Sequence, residues 1–209
     1  MQNTKQTTNG TDRAGNQLNI MSISIAIDSH LKLAPLEMAL AEQYLQLVVR
    51  NQDRLGVWFS WARKEQTLEQ TKEYLERALS EHKAKSGIHM GIFFDGKLVG
   101  QLSFTKIDLY HRSFNASGWV DKDYEGQGVF FKAGLAALNF AFMDLGLNRL
   151  EARAVSTNAR SHKLISQLRK EGTLREAHRE GDDFLDVDVY SLLKSEWQEL
   201  SAKIVKQMR

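Results

Sequence analysis

The 209-residue chain contains no cysteine, a single proline and no long apolar run. Without cysteine there can be no disulfide, no thiolate metal site and no acyl-cysteine intermediate, and the absence fits a reducing cytoplasm. No apolar run approaches the roughly 18 residues of a membrane helix, so we expect no membrane association. The formal net charge of +2 is too close to balance to indicate a nucleic-acid partner.

The composition is that of a globular protein, with 42% apolar and 26% charged residues. Residues 1–20 are rich in Gln, Asn, Thr and Gly and too poor in apolar side chains to form a core or a signal peptide. We therefore expect residues 1–20 to be a disordered tail or an extension before Met21. Residues 21–209 are long enough for one domain with a sizeable core.

Apolar spacing predicts helices and strands in turn along this domain. We expect the first strands at 22–27 and 31–33, a helix over 36–49 with Pro35 in its first turn, and a second helix that Thr67 caps and that ends at residue 84. The further elements predicted are a hairpin of 88–94 and 97–104 about Asp95-Gly96, a strand at 113–120, a helix from 128 to 145 that Gly146 ends, a strand at 149–155, a helix at 158–168, a hairpin of 173–179 and 184–193, and a terminal helix capped by Ser195. The order predicts a mixed α/β (α+β) fold, a sheet flanked by helices.

The segment 115–131 reads as a strand, a polar turn with two glycines, and a helix. Gly126 and Gly128 let a ligand approach the backbone, and the first N–H groups of the helix are free at the positive end of its dipole. Such a turn suits a phosphate or pyrophosphate. A Walker A loop is excluded because Val129 follows Gly128, and a dinucleotide-binding fingerprint because Phe131 stands where a third glycine is needed. A pyrophosphate loop of an acyl-coenzyme A transferase and an ordinary turn stay open.

The sequence around and after this turn carries a family resemblance. It comprises Gly126-Gln127-Gly128, the stretch 141–152, Asn158 to Ser161, the stretch 171–175 and the stretch 189–197, in this order and spacing. Over about residues 23–197 the chain resembles the GNAT superfamily of N-acetyltransferases, and within it the ribosomal-protein-serine and -alanine acetyltransferases of the RimL and RimJ type. The resemblance implies a GNAT fold: a mostly antiparallel mixed sheet in which the strand before the loop splays from its neighbour.

The resemblance also implies acetyl-coenzyme A as cosubstrate and names the residues that hold it. Backbone N–H groups of the loop would face the pyrophosphate: those of Gly126, Gln127, Gly128, Val129 and Phe130. Backbone groups of Trp119 and Val120 would pair with the pantetheine arm and polarise the thioester. The alternative for the Trp119 side chain is an ordinary core aromatic.

Further roles follow from the same resemblance. Asn158 would contact the pantetheine arm, and Ser161 would be the general acid near the thioester sulfur; the alternative is a helix cap and a polar helix face. His178 suits a general base because imidazole titrates near neutral pH, yet it could be an exposed strand histidine, and Glu125 and Glu151 are also candidates. Trp58 and Trp61 would line the acceptor site or belong to the core.

No metal site is expected. Asp186 and Asp188 alternate with valines, which is typical of one polar strand face and not of a metal site. The resemblance makes the N-terminal α-amine of a ribosomal or other protein the leading acceptor, and a homodimer is possible. An α-amine, with an ordinary pKa of about 7.7–8.0 against about 10.4 for lysine, needs only a weak base.

Two departures from the family pattern leave other functions open. Asp123 stands where the family usually has Gln or Arg, three residues before the first glycine. The segment before Glu171-Gly172 lacks the usual Gly-Phe and is two residues short by our count, which should change how the helix enters the last hairpin. The alternatives are acetylation of a small amine, such as a polyamine or an aminoacyl antibiotic, and a non-catalytic module that binds acyl-coenzyme A.

Overall fold

One eight-stranded sheet forms the centre of the computed structural model, which describes residues 24–207. The strands lie in the order β1-β2-β3-β4-β5-β6-β8-β7. Their bounds are β1 Ile25–Ala26, β2 Leu31–Pro35, β3 Ile88–Phe94, β4 Lys97–Asp108, β5 Ser113–Val120, β6 Arg149–Val155, β7 Arg169–Glu180 and β8 Asp183–Leu193. All neighbouring pairs are antiparallel except β5 and β6, which are parallel.

Six α-helices flank this sheet in the part of the chain that the structure describes. They are α1 Ala41–Arg50, α2 Gln52–Gly56, α3 Leu68–Ala84, α4 Val129–Asn139, α5 Ala159–Leu164 and α6 Lys194–Gln207. Short 3-10 turns lie at Met38–Leu40, Ser60–Arg63 and Lys122–Tyr124. Among residues 24–207, no helix combines the length and the apolar character needed to cross a bilayer.

The two faces of the sheet each bury a core, because side chains alternate along a strand. Val99 and Val120 point to the face covered by α4, where they join Ala133 and Phe142. Their chain neighbours point to the opposite face, covered by α1 and α3, in a second core that contains Leu98, Trp119, Tyr44 and Leu75. We call these the α4 face and the α1 face.

Local signals fix several elements as predicted. The Thr67 side chain accepts from the Gln70 backbone N–H at 3.2 Å, and the Gln70 side chain accepts from the Thr67 N–H at 3.1 Å, so a full capping box begins α3. Asp95 and Gly96 have φ of 48° and 76° and turn the β3–β4 hairpin. Gly146, with φ of 69°, follows the helical stretch after the loop, as predicted.

The prediction for Pro35 is wrong: it is the last residue of β2, opposite Met90 of β3, and α1 begins only at Ala41. Leu36 N–H donates to the His89 carbonyl, so the ladder alternation turns the nitrogen of Pro35 away from β3. The nitrogen of Pro35 points to the side of β1, but β1 pairs with β2 only as far as Leu33 and has ended before Pro35. The missing N–H therefore costs no ladder bond.

Three further boundaries differ from the prediction. The helix after the loop is α-helical only to Asn139 and closes with a π-helical turn at Phe140–Asp144. Helix α5 ends at Leu164, four residues earlier than expected, and β7 begins at Arg169. Ser195 does not cap α6, which already begins at Lys194; Glu196 accepts the Leu193 N–H at 2.8 Å instead. The predicted tail 1–20, Met21 and the first two residues of the predicted strand 22–27 lie outside the described residues. Of the described part of that strand, 24–27, only 25–26 is a strand.

Strands β5 and β6 part after three residue pairs. Ser113, Phe114 and Asn115 face Arg149, Leu150 and Glu151, but β5 continues to Val120 and β6 to Val155 without further pairing between them. The expected splay is therefore present. It opens toward the carboxyl ends of both strands, where the glycine loop and α5 begin.

Candidate active site

The loop between β5 and α4 presents free backbone at the open end of the splay. Gly126 and Gly128 have φ of 73° and 75°, a conformation that favours glycine, and a Cβ on either would meet nothing within 4 Å. Gln127 fixes the turn by donating from its side chain to the Asp123 carbonyl at 2.6 Å. Val129 is buried beneath the loop and begins α4, so the free N–H groups of this helix lie next to the two glycines.

The open edge of β5 carries backbone groups that pair with no neighbouring strand. Asp121 N–H donates to the Val99 carbonyl at 2.7 Å. Alternation in an antiparallel ladder then turns the backbone groups of Trp119 toward β4 and those of Gly118 and Val120 toward the gap. Gly118 also lies directly beneath Phe130, since a Cβ there would come within 2.9 Å of that ring. An extended ligand with amide groups could pair with this edge as an added strand does.

Of the two β5 residues named from the sequence, only Val120 faces the gap with its backbone. The Trp119 side chain is 7% exposed and belongs to the core of the α1 face, with its ring edge-on to Tyr44 at 6.3 Å. The alternative interpretation of this side chain, a core aromatic, is therefore confirmed. The register turns its backbone groups to β4, which leaves the gap-facing role to Gly118 and Val120.

Three polar residues that sequence reasoning missed anchor the start of the loop. The Asp121 carboxylate is fully buried; Asn51 Nδ2 donates to it at 3.1 Å, and Arg50 pairs with it. Asn51 Oδ1 in turn accepts the Lys122 N–H at 3.0 Å. Asn51 and Asp121 are 70 residues apart in the sequence, so no local pattern could reveal the pair.

A second set of long-range contacts gathers charge beside the loop. Glu125 binds Arg160 through both carboxylate oxygens, with Nη1 to Oε1 at 2.6 Å, and it also pairs with Arg54. Arg54 Nη2 donates to the Val120 carbonyl at 2.5 Å. Burial lowers the pKa of Arg54, the Glu125 charge opposes that shift, and the Arg160 charge adds to it. With its carboxylate occupied by two guanidinium groups, Glu125 is poorly placed to act as a base.

Asn158 and Ser161 lie where β6 leads into α5. Asn158 is buried and caps α5 by accepting the Ser161 N–H at 3.0 Å, which is the structural alternative considered for this pair. Ser161 is half-buried, and among residues 24–207 its hydroxyl forms no hydrogen bond. His162 donates to or accepts from Tyr190 OH at 2.9 Å, which fixes α5 on the α4 face. The Ser161 hydroxyl is thus free to meet a ligand in the gap.

His178 lies on the other face, near the predicted acceptor wall. Its Nε2 is buried and is 3.4 Å from Glu180 Oε2. Glu180 accepts from Arg63 Nη2 at 2.5 Å, and Arg63 Nε donates to the Gly56 carbonyl at 2.6 Å. These contacts tie the last hairpin to the segment after α2. The Arg63 hydrogen bond is the largest cause that lowers the pKa of Glu180.

The two predicted wall residues lie in that same segment. Trp58 is half-buried, and Trp61 is 41% exposed with its ring 5.7 Å from that of Phe59. Phe59 packs against the core of the α1 face, so the segment with Trp58 and Trp61 lies on that face, beside the Arg63–Glu180 link. Ser161 lies on the α4 face. Two ligands could approach the gap from opposite faces of the sheet.

The remaining acidic candidates have structural partners. Asp188 binds Lys170 at 2.7 Å and Thr173 at 2.5 Å, and its pKa is lowered first by Lys170. Glu151 pairs with Arg153 at 2.9 Å. Asp186 accepts a backbone N–H of β7 at 2.9 Å. Within residues 24–207, no three His, Asp or Glu side chains converge as metal ligands would.

Comparison with known proteins agrees with this geometry. A family model described as the acetyltransferase (GNAT) domain matches residues 30–169. The chain is 29% identical over 175 residues to the putative ribosomal N-acetyltransferase YdaF of Bacillus subtilis, covering 82% of this chain and 96% of that protein. It is 23% identical over 173 residues to the ribosomal-protein-serine acetyltransferase of Escherichia coli, covering 82% and 97%.

Solved structures share the fold. A probable acetyltransferase superposes with a TM-score of 0.78 at 28% identity, over 84% of this chain and 99% of that one. The ribosomal L7/L12 α-N-protein acetyltransferase RimL, solved in complex with coenzyme A, has a TM-score of 0.79 at 20% identity, over 83% and 99%. With a splayed sheet, a glycine loop and a family model matching well over half its length, the chain belongs to the GNAT acetyltransferases. Its relatives include ribosomal-protein acetyltransferases.

Proposed function

We propose that this chain is an acetyl-coenzyme A-dependent N-acetyltransferase that acts on a protein N-terminus. The observation that supports the cosubstrate best is the β5 edge at Gly118 and Val120, which pairs with no strand on the side of the gap and leads directly into the glycine loop. A pantetheine arm has amides to pair with that edge, and its pyrophosphate would then reach Gly126 to Phe130 at the start of α4. Asn158 borders the same gap.

The chemistry is direct transfer between the two bound substrates. The neutral amine attacks the thioester carbonyl carbon, a C–N bond forms, and the C–S bond breaks. A gap-facing N–H of β5 polarises the carbonyl oxygen. Ser161 donates its proton to the leaving sulfur, and the proton lost by the nitrogen passes to His178 or to solvent. No acyl group is held by the protein itself.

The N-terminal acceptor is supported by the relatives and by the low basicity of an α-amine. One curated relative is named a putative ribosomal N-acetyltransferase and another a ribosomal-protein-serine acetyltransferase. We place the reaction in the cytoplasm, where ribosomal proteins are made. An α-amine is neutral far more often than lysine near pH 7, which suits a site whose proposed imidazole base, His178, lies 3.4 Å from the Glu180 carboxylate. The predicted homodimer stays a prediction, for sedimentation analysis to test.

Asp123 does not by itself argue for a silent module. Its side chain is exposed, and the loop uses its backbone carbonyl to fix Gln127. Asp123 is therefore compatible with a working cofactor loop.

The two enzyme alternatives differ in the acceptor. Thiol release should be measured with Ser- and Ala-starting peptides, with the same peptides acetylated at the N-terminus, and with spermidine. We expect thiol release only with the peptides that have a free N-terminus. Release with spermidine only would favour the small-amine alternative. Binding of acetyl-coenzyme A without any thiol release would favour a silent module.

Replacing Gly128 by valine tests the loop. A β-branched side chain at a φ of 75° is strained, and its methyl groups would fill the space that a pyrophosphate needs. We expect coenzyme A binding to be lost in calorimetric titration. Gly134→Ala, in the middle of α4 with open space around its Cα, is the matched control and should bind as wild type does. Equal affinity in Gly128→Val would remove the loop assignment.

A further inference from the structure

Three charged side chains bridge the mouth of the gap between β5 and β6. Glu125 lies in the loop after β5, Arg160 lies in the first turn of α5 after β6, and Arg54 lies in α2. Arg160 Nη1 is 2.6 Å from Glu125 Oε1, and its Nη2 binds Oε2. Because β5 and β6 are the strands that part, this bidentate pair joins the two sides of the opening. We call the three residues the arginine cluster.

Arg54 closes the same opening from the β5 side. Its Nη1 shares Glu125 Oε1 with Arg160, and its Nη2 donates to the Val120 carbonyl at 2.5 Å. That carbonyl is one of the gap-facing groups with which an extended ligand would have to pair. Arg54 Nε is buried and, within the described part of the chain, has no hydrogen-bond partner. The arginine is therefore held with part of its hydrogen-bonding capacity unused.

The cluster also brings cationic groups to a loop whose own motif carries an acid. Asp123 stands in the loop where the resembling family usually has Gln or Arg, so the motif lacks that donor. Arg54 and Arg160 come from α2 and α5, and two guanidinium charges share the single carboxylate of Glu125. The remaining positive charge lies beside the start of α4, where an anion is favoured.

We propose that Arg54 and Arg160 are the cationic partners of the cofactor's pyrophosphate, and that Glu125 occupies both arginines until the pyrophosphate displaces it. This rests on the proposed function, since it needs a pyrophosphate at Gly126–Gly128. A carboxylate and a phosphate both accept parallel N–H bonds from one guanidinium, so the exchange keeps the arginines paired. It also releases the Val120 carbonyl for the pantetheine arm. Glu125 is then a competitor of the ligand and not a part of its site.

The first test is Glu125→Gln, followed by calorimetric titration and stopped-flow binding of coenzyme A. The neutral amide cannot hold two guanidinium groups, so fewer contacts of residue 125 with the arginines must break before coenzyme A binds. We expect coenzyme A to bind about three- to tenfold more tightly, with a faster association rate. Glu171→Gln is the matched control, because Glu171 also holds an arginine with both oxygens, Arg149 at 2.8 and 2.5 Å, but away from the loop. It should leave affinity unchanged.

Arg160→Gln tests the cation itself. Loss of a charge-assisted bond to phosphate should weaken coenzyme A binding about tenfold or more. Binding of pantetheine, which has no phosphate, should not weaken. When Glu125→Gln is added to Arg160→Gln, the affinity for coenzyme A should increase clearly less than when Glu125→Gln is made in the wild-type protein. Thermal unfolding shows whether each variant is folded. If Glu125→Gln does not fold, Glu125→Asp takes its place, because the shorter side chain cannot reach both arginines.

The outcomes separate the two proposals. Wild-type protein that fails to bind coenzyme A overturns the proposed function and the exchange together. Wild-type binding with unchanged or weaker affinity in Glu125→Gln overturns the exchange alone, since Glu125 would then support the site. Equal loss of coenzyme A and pantetheine binding in Arg160→Gln would show that Arg160 holds the fold of the gap and not a phosphate.

Discussion

At the scale of single residues, Ser161 has the clearest chemical role to test. Its backbone N–H is used by Asn158, while its hydroxyl is free and half-buried at the β6 side of the gap. Removing a general acid typically slows turnover by about 100-fold or more. We expect Ser161→Ala to reduce kcat to that extent and to leave the affinity for acetyl-coenzyme A nearly unchanged, because the cap of α5 does not need the hydroxyl.

Ser166→Ala provides the control for this change. Ser166 is exposed and donates to the Lys163 carbonyl at 2.9 Å, a local contact in the turn after α5. Its removal should alter neither kcat nor affinity. If Ser161→Ala turns over as fast as Ser166→Ala, Ser161 has no part in the reaction, and if its affinity falls as well, the residue binds the cofactor or holds α5.

At the scale of elements, α3 is joined to β3 by a buried pair of histidines. His82 Nε2 accepts the His89 backbone N–H at 2.5 Å, which requires the neutral ring, and the two rings stack at 6.0 Å. Burial, and next the charge of His89, lowers the pKa of His82 from 6.5 to about 4. Glu81 faces His89 at 2.8 Å, and Tyr74 and Ser103 bind its other nitrogen.

This contact makes stability depend on pH. Above pH 6.5 the contribution of His82 is complete. Between pH 6.5 and about 4 the unfolded chain binds a proton that the folded chain does not, so the protein becomes less stable as the pH is lowered. From pH 7.5 to 5.0 the loss of unfolding free energy is at most about 2 kcal/mol, because solvent screening reduces the full effect of the shift. We expect His82→Gln, which cannot titrate, to lack this part of the pH dependence in urea unfolding. Exposed His111→Gln should keep it, and equal slopes in all three proteins would contradict the assignment.

Whether an element could be predicted depended on how local its cause is. The Thr67 cap of α3 and the turn at Asp95-Gly96 involve residues within three positions of each other, and both were predicted correctly. Pro35 was assigned wrongly because its place in β2 depends on the two neighbouring strands: β3, to which Leu36 N–H donates, and β1, which ends before it reaches Pro35. The π-helical turn at Phe140–Asp144 keeps the apolar spacing of a helix and has no separate signal.

The same distinction holds for the site. Gly126, Gly128, Asn158 and Ser161 lie in short motifs, so the sequence placed them at the loop and at α5. The contacts of Glu125 with Arg54 and with Arg160 span 71 and 35 residues, and nothing in the local pattern of either arginine marks it. Such pairs exist only once the sheet has brought α2, the loop and α5 to one edge.

At the scale of the whole molecule, the gap between β5 and β6 can be reached from both faces of the sheet, one for each of the two proposed substrates. The glycine loop and Ser161 lie toward the α4 face, whereas Trp58, Trp61 and the Arg63–Glu180 link lie toward the α1 face. The chain also has no cysteine that could carry an acyl group. The proposed direct transfer requires both substrates to be bound at the same time.

We therefore expect sequential kinetics. Initial rates measured at several fixed peptide concentrations, with acetyl-coenzyme A varied, should give intersecting double-reciprocal lines. Intact-mass spectrometry of the protein after incubation with acetyl-coenzyme A alone should show no added acetyl group, with the peptide added afterwards as a check that the same sample is active. Parallel lines, or a protein that carries an acetyl group before the peptide is present, would mean that a side chain of the protein is acylated first. Direct transfer through the splayed sheet would then be wrong, although the fold and the cofactor loop would stand.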